Sequence, residues 1–506
     1  MKFDIYNIEQ YKKDIDDKGL IAVWKEILEY CILHNTKNTF LDVYNFGELY
    51  EIGLAHLDKK NKKENGVYYT PIDVAAVLSN YLKDLKGDII CDVCCGTGNL
   101  ILSYLNILGK ERAVELLHNG KVYLYDMDEL ALKICRTSIG ILYGIEYIDK
   151  ITCVNGDFLD KEIHLPKNAK VISNPPYFKI NDILITWETT EVIEDTKELY
   201  SAFLEKIIKE SVSSVIITPF SFLSGDKFFS LRKLLNNYNG FIISFDNVPG
   251  NIFKGKKHGI FNTNTSNAVR AAITVVENKK DKKGFRISPL LRFSSNEREK
   301  LLNNTVLNSF LSSNYQIISE SNRDYYKCFT ELLPIYNTWM KKSNDSFNSL
   351  LLKKTSEYVL YMPKTCRYFV SATKKDLKRT GKTVLYFKDR ESMEFAYCLL
   401  NSSFAYLYWR IYEGAITYSD GLLKSIPIFM DILTEEEKIE IHKIVSKMIS
   451  EEENYLVYKK NASEMQENVK FPVTYRDELN KLLLNVLDIS NDVRIFDKVH
   501  SNSIFE

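Results

Sequence analysis

The chain has 506 residues, of which 45% are hydrophobic and 26% charged, and its 67 Lys and Arg balance 67 Asp and Glu. That composition belongs to a folded soluble protein and excludes disordered or collagen-like classes; no run approaches the roughly 18 apolar residues of a membrane span, and the length exceeds one ordinary core. The opening "MKFDIYNIEQYKKDIDD" has no signal-peptide core, so a cytoplasmic protein with no membrane partner is expected.

The zero net charge conceals a polarity. Residues 251 to 430 hold 29 Lys and Arg against 15 Asp and Glu, including "KGKK" (254–257), "KKDKKGFR" (279–286) and "KKDLKRTGK" (374–382). Any one cluster is an ordinary solvated loop, but their segregation favours a polyanion-facing surface. No CxxC pair is accompanied by histidines at the spacing of a zinc site, so Cys91, Cys94 and Cys95 read as reduced thiols and no metal is expected.

Taken in order, residues 1–63 read as a helical segment without a nuclease motif. "NGVYYTPIDVAAVLSNYL" predicts a helix capped by Thr70 with Pro71 in its first turn, and Val74, Val77, Leu78, Tyr81 and Leu82 share one buried face. From Gly87 strands alternate with helices: 88–93, 121–126, 151–157, 169–174, 214–219, 240–248 and 268–277 read as strands. The alternation predicts a largely parallel sheet covered on both faces, with ligands at the carboxyl ends of its strands. Beyond about 286 short aromatic-rich pieces suggest a mixed second domain. Two helices close the chain, the first with a capping box of Thr434 and Glu437 and a stripe through Ile441, Ile444, Val445, Met448 and Ile449.

The strand ends carry the chemistry. In "DVCCGTGNL" (92–100), Gly96 and Gly98 permit a sharp turn and close approach of a ligand. Asp126 ends the next strand, where a carboxylate can accept from ribose hydroxyls; Asp157 ends the third, able to accept from an adenine amino group with Phe158 against the purine. Lacking the Lys-Ser/Thr of a P-loop and the full GxGxxG, the turn suits an adenosine ligand without a phosphate clamp. The fourth strand ends in Asn174-Pro175-Pro176-Tyr177. Prolines stop the strand because they have no N–H, leaving the Asn174 side-chain oxygen and the Pro175 carbonyl as a double acceptor for one amino group, with Tyr177 as a platform for a ring. As a lone dipeptide Asn-Pro is only a frequent turn signal.

Over residues 64 to 277 the chain resembles the γ-class DNA N6-adenine methyltransferases, enzymes that use S-adenosylmethionine. The resemblance rests on "NGVYYTP" (65–71), "DVCCGTGNL" and "NPPY", in that order. It implies an α/β fold: a Rossmann-like class I methyltransferase domain (64–285) with a mixed seven-stranded sheet, a mixed α+β target-recognition domain (286–430), and helical terminal segments (1–63 and 431–506). It places Tyr69 and Thr70 near the methionine part of the cofactor, the turn from Asp92 through Cys94, Gly96 and Gly98 beneath it, Asp126 and Met127 at the ribose, and Asp157 and Phe158 at the adenine. Asn174 to Tyr177 would be catalytic, and "GNIFKG" nominates Phe253 to stack on the target base, with Phe261 as rival. Two departures stand out: Leu124 and Tyr125 where the family usually has a glycine before the acid, and the polar insertion "KGKKHGIFNTNTSN" after Phe253.

The implied reaction is methylation of adenine N6 in double-stranded DNA with a specific recognition sequence. Asn174 and the Pro175 carbonyl accept the amino hydrogens of a flipped-out base, and the enzyme serves a restriction-modification or epigenetic system, solitary or with a genetically linked restriction endonuclease. The alternatives are an RNA base or protein glutamine methyltransferase, and a DNA-specificity protein without catalysis.

Overall fold

The computed structural model describes residues 70–180, 187–253, 269–278, 282–413, 416–461 and 464–506. The expectations for residues 1–63, Tyr69, Phe261 and "KGKK" lie outside them. The chain divides into two compact units between Tyr325 and Tyr326.

The first unit is built on a sheet of eight strands: β1 (Ile89–Val93), β2 (Val122–Asp126), β3 (Thr152–Asn155), β4 (Ala169–Ser173), β5 (Ser213–Pro219), β6 (Asn239–Phe245), β7 (Ala271–Val276) and β8 (Gly284–Leu291), in the order β3-β2-β1-β4-β5-β7-β6-β8. Every pair is parallel except those made by β7, which runs against β5 and β6. The central strands are buried along nearly their whole length because helices cover both faces. This is the Rossmann-like class I methyltransferase sheet that the family resemblance implies, with eight strands in place of seven.

The eighth strand crosses position 285, where the sequence suggests a domain boundary. Pro289 within it disguises a strand, since proline cannot donate to a ladder. A register shift in β6 between Ile242 and Ser244 falls opposite that proline, and the Ser288 hydroxyl accepts the Ser244 N–H at 2.9 Å.

Helix α1 (Ile72–Lys83) buries Val74, Val77, Leu78, Tyr81 and Leu82, as its periodicity predicts. Its cap differs from expectation. Pro71 is the N-cap, its carbonyl accepting Ala75 N–H at 2.8 Å, and Thr70 lies one residue outside with its hydroxyl turned to another task. Helices α2 (Asn99–Leu108), α3 (Lys110–His118) and α4 (Glu129–Tyr143) follow the first two strands; α5 (Glu191–Thr196) and α6 (Leu199–Glu210) lead into β5.

The second unit packs helices 390–401, 403–412, 435–451 and 473–486 around a core that includes Trp339 and Trp409. The capping box of Thr434 and Glu437 forms as predicted. The expected all-helical end is interrupted by an antiparallel hairpin, Leu456–Asn461 with Glu464–Val469. "LVYKKN" and "EMQENV" carry too few alternating apolar residues to announce strands, because one edge is fixed by a neighbouring loop. Glu467 N–H donates to the Lys378 carbonyl at 3.0 Å, and the Glu467 carboxylate accepts Lys378 N–H at 2.9 Å. Among the described residues no helix is long and apolar enough to cross a membrane.

Candidate active site

Strand order reverses between β1 and β4, so a crevice opens where these neighbours end. The Ser173 hydroxyl donates to the Val93 carbonyl at 2.7 Å and ties the two ends together. The residues that follow, Cys94 on one side and Asn174 on the other, are therefore held at the mouth.

On the β1 side the chain turns with positive φ at Cys94 (61°), Gly96 (51°) and Gly98 (99°). At Gly98 a Cβ would stand 2.4 Å from the Cys135 sulfur, so glycine is required for space as well as conformation. Asp126 organises the turn: its carboxylate accepts Gly96 N–H at 2.7 Å and Asp128 N–H at 2.9 Å. Asp92 is fully buried; one oxygen accepts Ile101 N–H at 3.0 Å, while the other has no protein partner among the described residues.

Burial raises the pKa of Asp92 and Asp126, opposed by their backbone donors, and for Asp92 the nearby Asp126 adds to the rise. The Cys94 thiol is pushed up by burial and then by Asp126, Asp92 and Asp157. Three strand-end acids thus act on one residue of the turn.

Asp157 accepts Leu159 N–H at 3.0 Å and the Trp187 indole N–H at 2.6 Å. Phe158, expected at the purine, lies beside Asp157. Only 3% exposed, it packs against Tyr125 and Phe203 with the Lys206 ammonium 5.0 Å from its ring centre, because its side chain points into the core below the loop. Met127 beside it is 71% exposed. Two residues that motif reading passed over define this wall. Trp187 supplies an aromatic surface at Asp157, and Lys206 donates to the carbonyls of Phe158, Asp160 and Ile163 at 2.6 to 2.7 Å, fixing the loop. Trp187 is one of only four tryptophans, the one signal that could have drawn attention to it.

On the β4 side Pro175 is buried and Pro176 half-buried. Asn174 Nδ2 donates to the Thr70 hydroxyl at 2.8 Å, and its Oδ1 lies 2.5 Å from the Tyr177 hydroxyl, which also approaches the Ile217 carbonyl at 3.0 Å. Thr70 is in turn held by Asn99, whose side chain donates to its carbonyl at 3.2 Å. The Tyr177 ring meets Tyr200 edge-on at 6.4 Å and Phe253 at 6.0 Å. Thr70, Asn174, Tyr177 and Phe253 therefore gather at the β4 side of the crevice, and Asp92, Cys94, Gly96, Asp126 and Asp157 at the β1 side.

A profile of the N-6 DNA methylase family matches residues 42–303, more than half of the chain. The chain belongs to the N-6 DNA methylase family.

Within the family it is similar to the type II methyltransferase M.VspI of Vibrio sp. (strain 343), 29% identical over 240 residues that cover 45% of this chain and 53% of the relative. It is also similar to the type I restriction enzyme MpnII methylase subunit of Mycoplasma pneumoniae, 23% identical over 262 residues, covering 47% and 45%. The chain spans about half the length of these curated relatives. Among solved structures, the type I restriction-modification methyltransferase subunit from Streptococcus thermophilus aligns with 58% of this chain and 62% of its own, at 15% identity and a TM-score of 0.36.

Proposed function

We propose that the chain is the modification enzyme of a restriction-modification system, transferring a methyl group from S-adenosylmethionine to N6 of an adenine turned out of double-stranded DNA. The observation that carries this reading is the Asn174 amide, oriented from both ends by Thr70 and Tyr177 at the switch point of an N-6 DNA methylase sheet.

The turn suits the cofactor on physical grounds. S-adenosylmethionine carries a sulfonium and an ammonium against one carboxylate and has no phosphate, which suits a turn whose polar side chains are those of Asp126 and Asp157 and which has no P-loop lysine. The buried Asp92 oxygen that has no partner among the described residues provides an acceptor below the turn. Thr70, Asp92, Gly96, Asp126, Met127 and Asp157 would hold it, with Trp187 as an additional wall. When bound, the cofactor supplies an already activated methyl group.

The chain's own residues then have the nucleophile to prepare. The lone pair of an adenine amino nitrogen is delocalised into its ring. Asn174 Oδ1, together with the Pro175 carbonyl, draws the amino hydrogens and favours a pyramidal nitrogen with a localised lone pair. The same dipoles stabilise the positive charge that grows on nitrogen. Turning the base out costs a few kcal/mol, and stacking on Tyr177 and Phe253, about 1 to 3 kcal/mol per base, offsets it.

Asn174→Ala is the direct test. Calorimetry should show cofactor affinity within about threefold of the parent, while transfer of labelled methyl to DNA falls by about 10² to 10³, the loss typical of one preorganised polar group at a reacting centre. Undiminished transfer would remove Asn174 from catalysis.

A further inference from the structure

Phe253 lies at the start of the segment between β6 and β7, and its distance from Tyr177 depends on what holds the backbone there. Asn251 begins an Asx-type turn, its side chain accepting Phe253 N–H at 2.8 Å. Gly250 N–H donates to the Phe293 carbonyl at 2.7 Å, and a Cβ on Gly250 would stand 2.5 Å from that oxygen. A further constraint comes from a residue far along the chain.

Arg298, only 8% exposed, donates through Nη1 to the Asn251 carbonyl at 2.8 Å and through Nη2 to the Ile252 carbonyl at 2.7 Å. With Nε and Nη2 it also grips the Asp73 carboxylate, at 2.6 and 2.9 Å. Asp73 stands in the first turn of α1, three residues past Thr70. A planar fork is thus spent on two elements at once, a use that an ammonium cannot reproduce. The contacts close a ring: Thr70 to Asn174, Asn174 to Tyr177, Tyr177 to Phe253, the Phe253 loop to Arg298, and Arg298 through Asp73 back to the element that carries Thr70.

We infer that Arg298 is a positioning residue that locks the Phe253 loop to the first turn of α1, so that the aromatic wall and the Asn174 amide are set against each other before a base arrives. The inference deepens the adenine-methylation reading and rests on it for the role of Phe253.

Two measurements on the full chain separate the two ideas. Hydrogen exchange at the Asn251 to Phe253 amides reads the lock without any DNA. Arg298→Lys should speed it at least tenfold, and Asp73→Asn, which spares the contacts to the loop carbonyls, should speed it less. Unchanged exchange in Arg298→Lys overturns the lock. In duplexes carrying 2-aminopurine at the modified adenine, Arg298→Lys should cut the fluorescence rise at least fivefold, with cofactor affinity changed less than twofold, and should cause no further loss when added to Phe253→Ala. Equal losses in both backgrounds overturn the action through Phe253. No fluorescence rise with the parent chain, alongside faster exchange in Arg298→Lys, would instead sink the adenine reading and leave the lock standing.

Discussion

At the scale of residues, the site depends on what each polar group is already bonded to. Tyr177 has two separable parts: a hydroxyl beside Asn174 Oδ1 and Ile217, and a ring between Tyr200 and Phe253. Tyr177→Phe keeps the ring and removes one hydrogen bond, typically about 0.5 to 1.5 kcal/mol, so methyl transfer should fall roughly 3- to 10-fold with base stacking intact. Tyr177→Ala should additionally lose base-dependent DNA binding, measured on abasic against intact target; equal behaviour of the two variants would deny the ring any role. The motif "NPPY" was legible because prolines that stop a strand and an adjacent amide are local facts. The partners of that amide were not. Thr70 reads as a helix cap by its place before Pro71, yet it faces Asn174, a residue 104 positions away. Lys206 likewise looks like an ordinary helical lysine until the loop after β3 is seen to wrap its ammonium.

At the scale of elements, the seven predicted strands are legible because apolar runs bounded by turn residues signal buried strands directly. The eighth was hidden by Pro289, whose fit needs a compensating irregularity in a different strand. One strand residue contradicts its pattern. Lys170 in β4 is 8% exposed, with its ammonium 3.3 Å from the Leu82 carbonyl and 3.4 Å from that of Leu85 at the end of α1. Burial, assisted by Arg112, pushes its pKa down to about 8. The unfolded chain, with an ordinary lysine, then binds more protons than the folded one between about pH 8 and 10.5, so this group's contribution to stability rises with pH across that window. Below it the cost of the buried charge is fully present, at most about 3 kcal/mol. Lys170→Met should therefore raise the denaturant midpoint at pH 7 and lose that advantage progressively from pH 8 to 10.5. A difference independent of pH would contradict the burial account.

At the scale of the whole molecule, the basic middle of the sequence is less uniform than its composition suggests. In the 374–382 loop Lys375 pairs with Glu453 and Lys382 with Asp376, and the Lys374 and Lys375 N–H groups both donate to the buried Glu452 carboxylate. Part of that cluster's charge is spent within the second unit, and a count of residues misses the pairing of Lys375 because Glu453 lies 78 positions away. Lys378 and Lys388 remain exposed. If this surface meets DNA, replacing both by alanine should weaken binding evenly across sequences and reduce the slope of log affinity against log salt by about 2, whereas Lys382→Ala should change it little. An unaltered slope in the double variant would move the phosphate contacts elsewhere.

The central claim, adenine methylation through Asn174, is tested most directly in the DNA itself. Genomic DNA should be sequenced with detection of modified adenines from cells carrying the intact gene, cells lacking it, and cells carrying Asn174→Ala. N6-methyladenine at one recurring sequence in the first, and at none of those positions in the other two, is the predicted result. Equal modification in all three, or none with the intact gene while the folded protein is present, would contradict it.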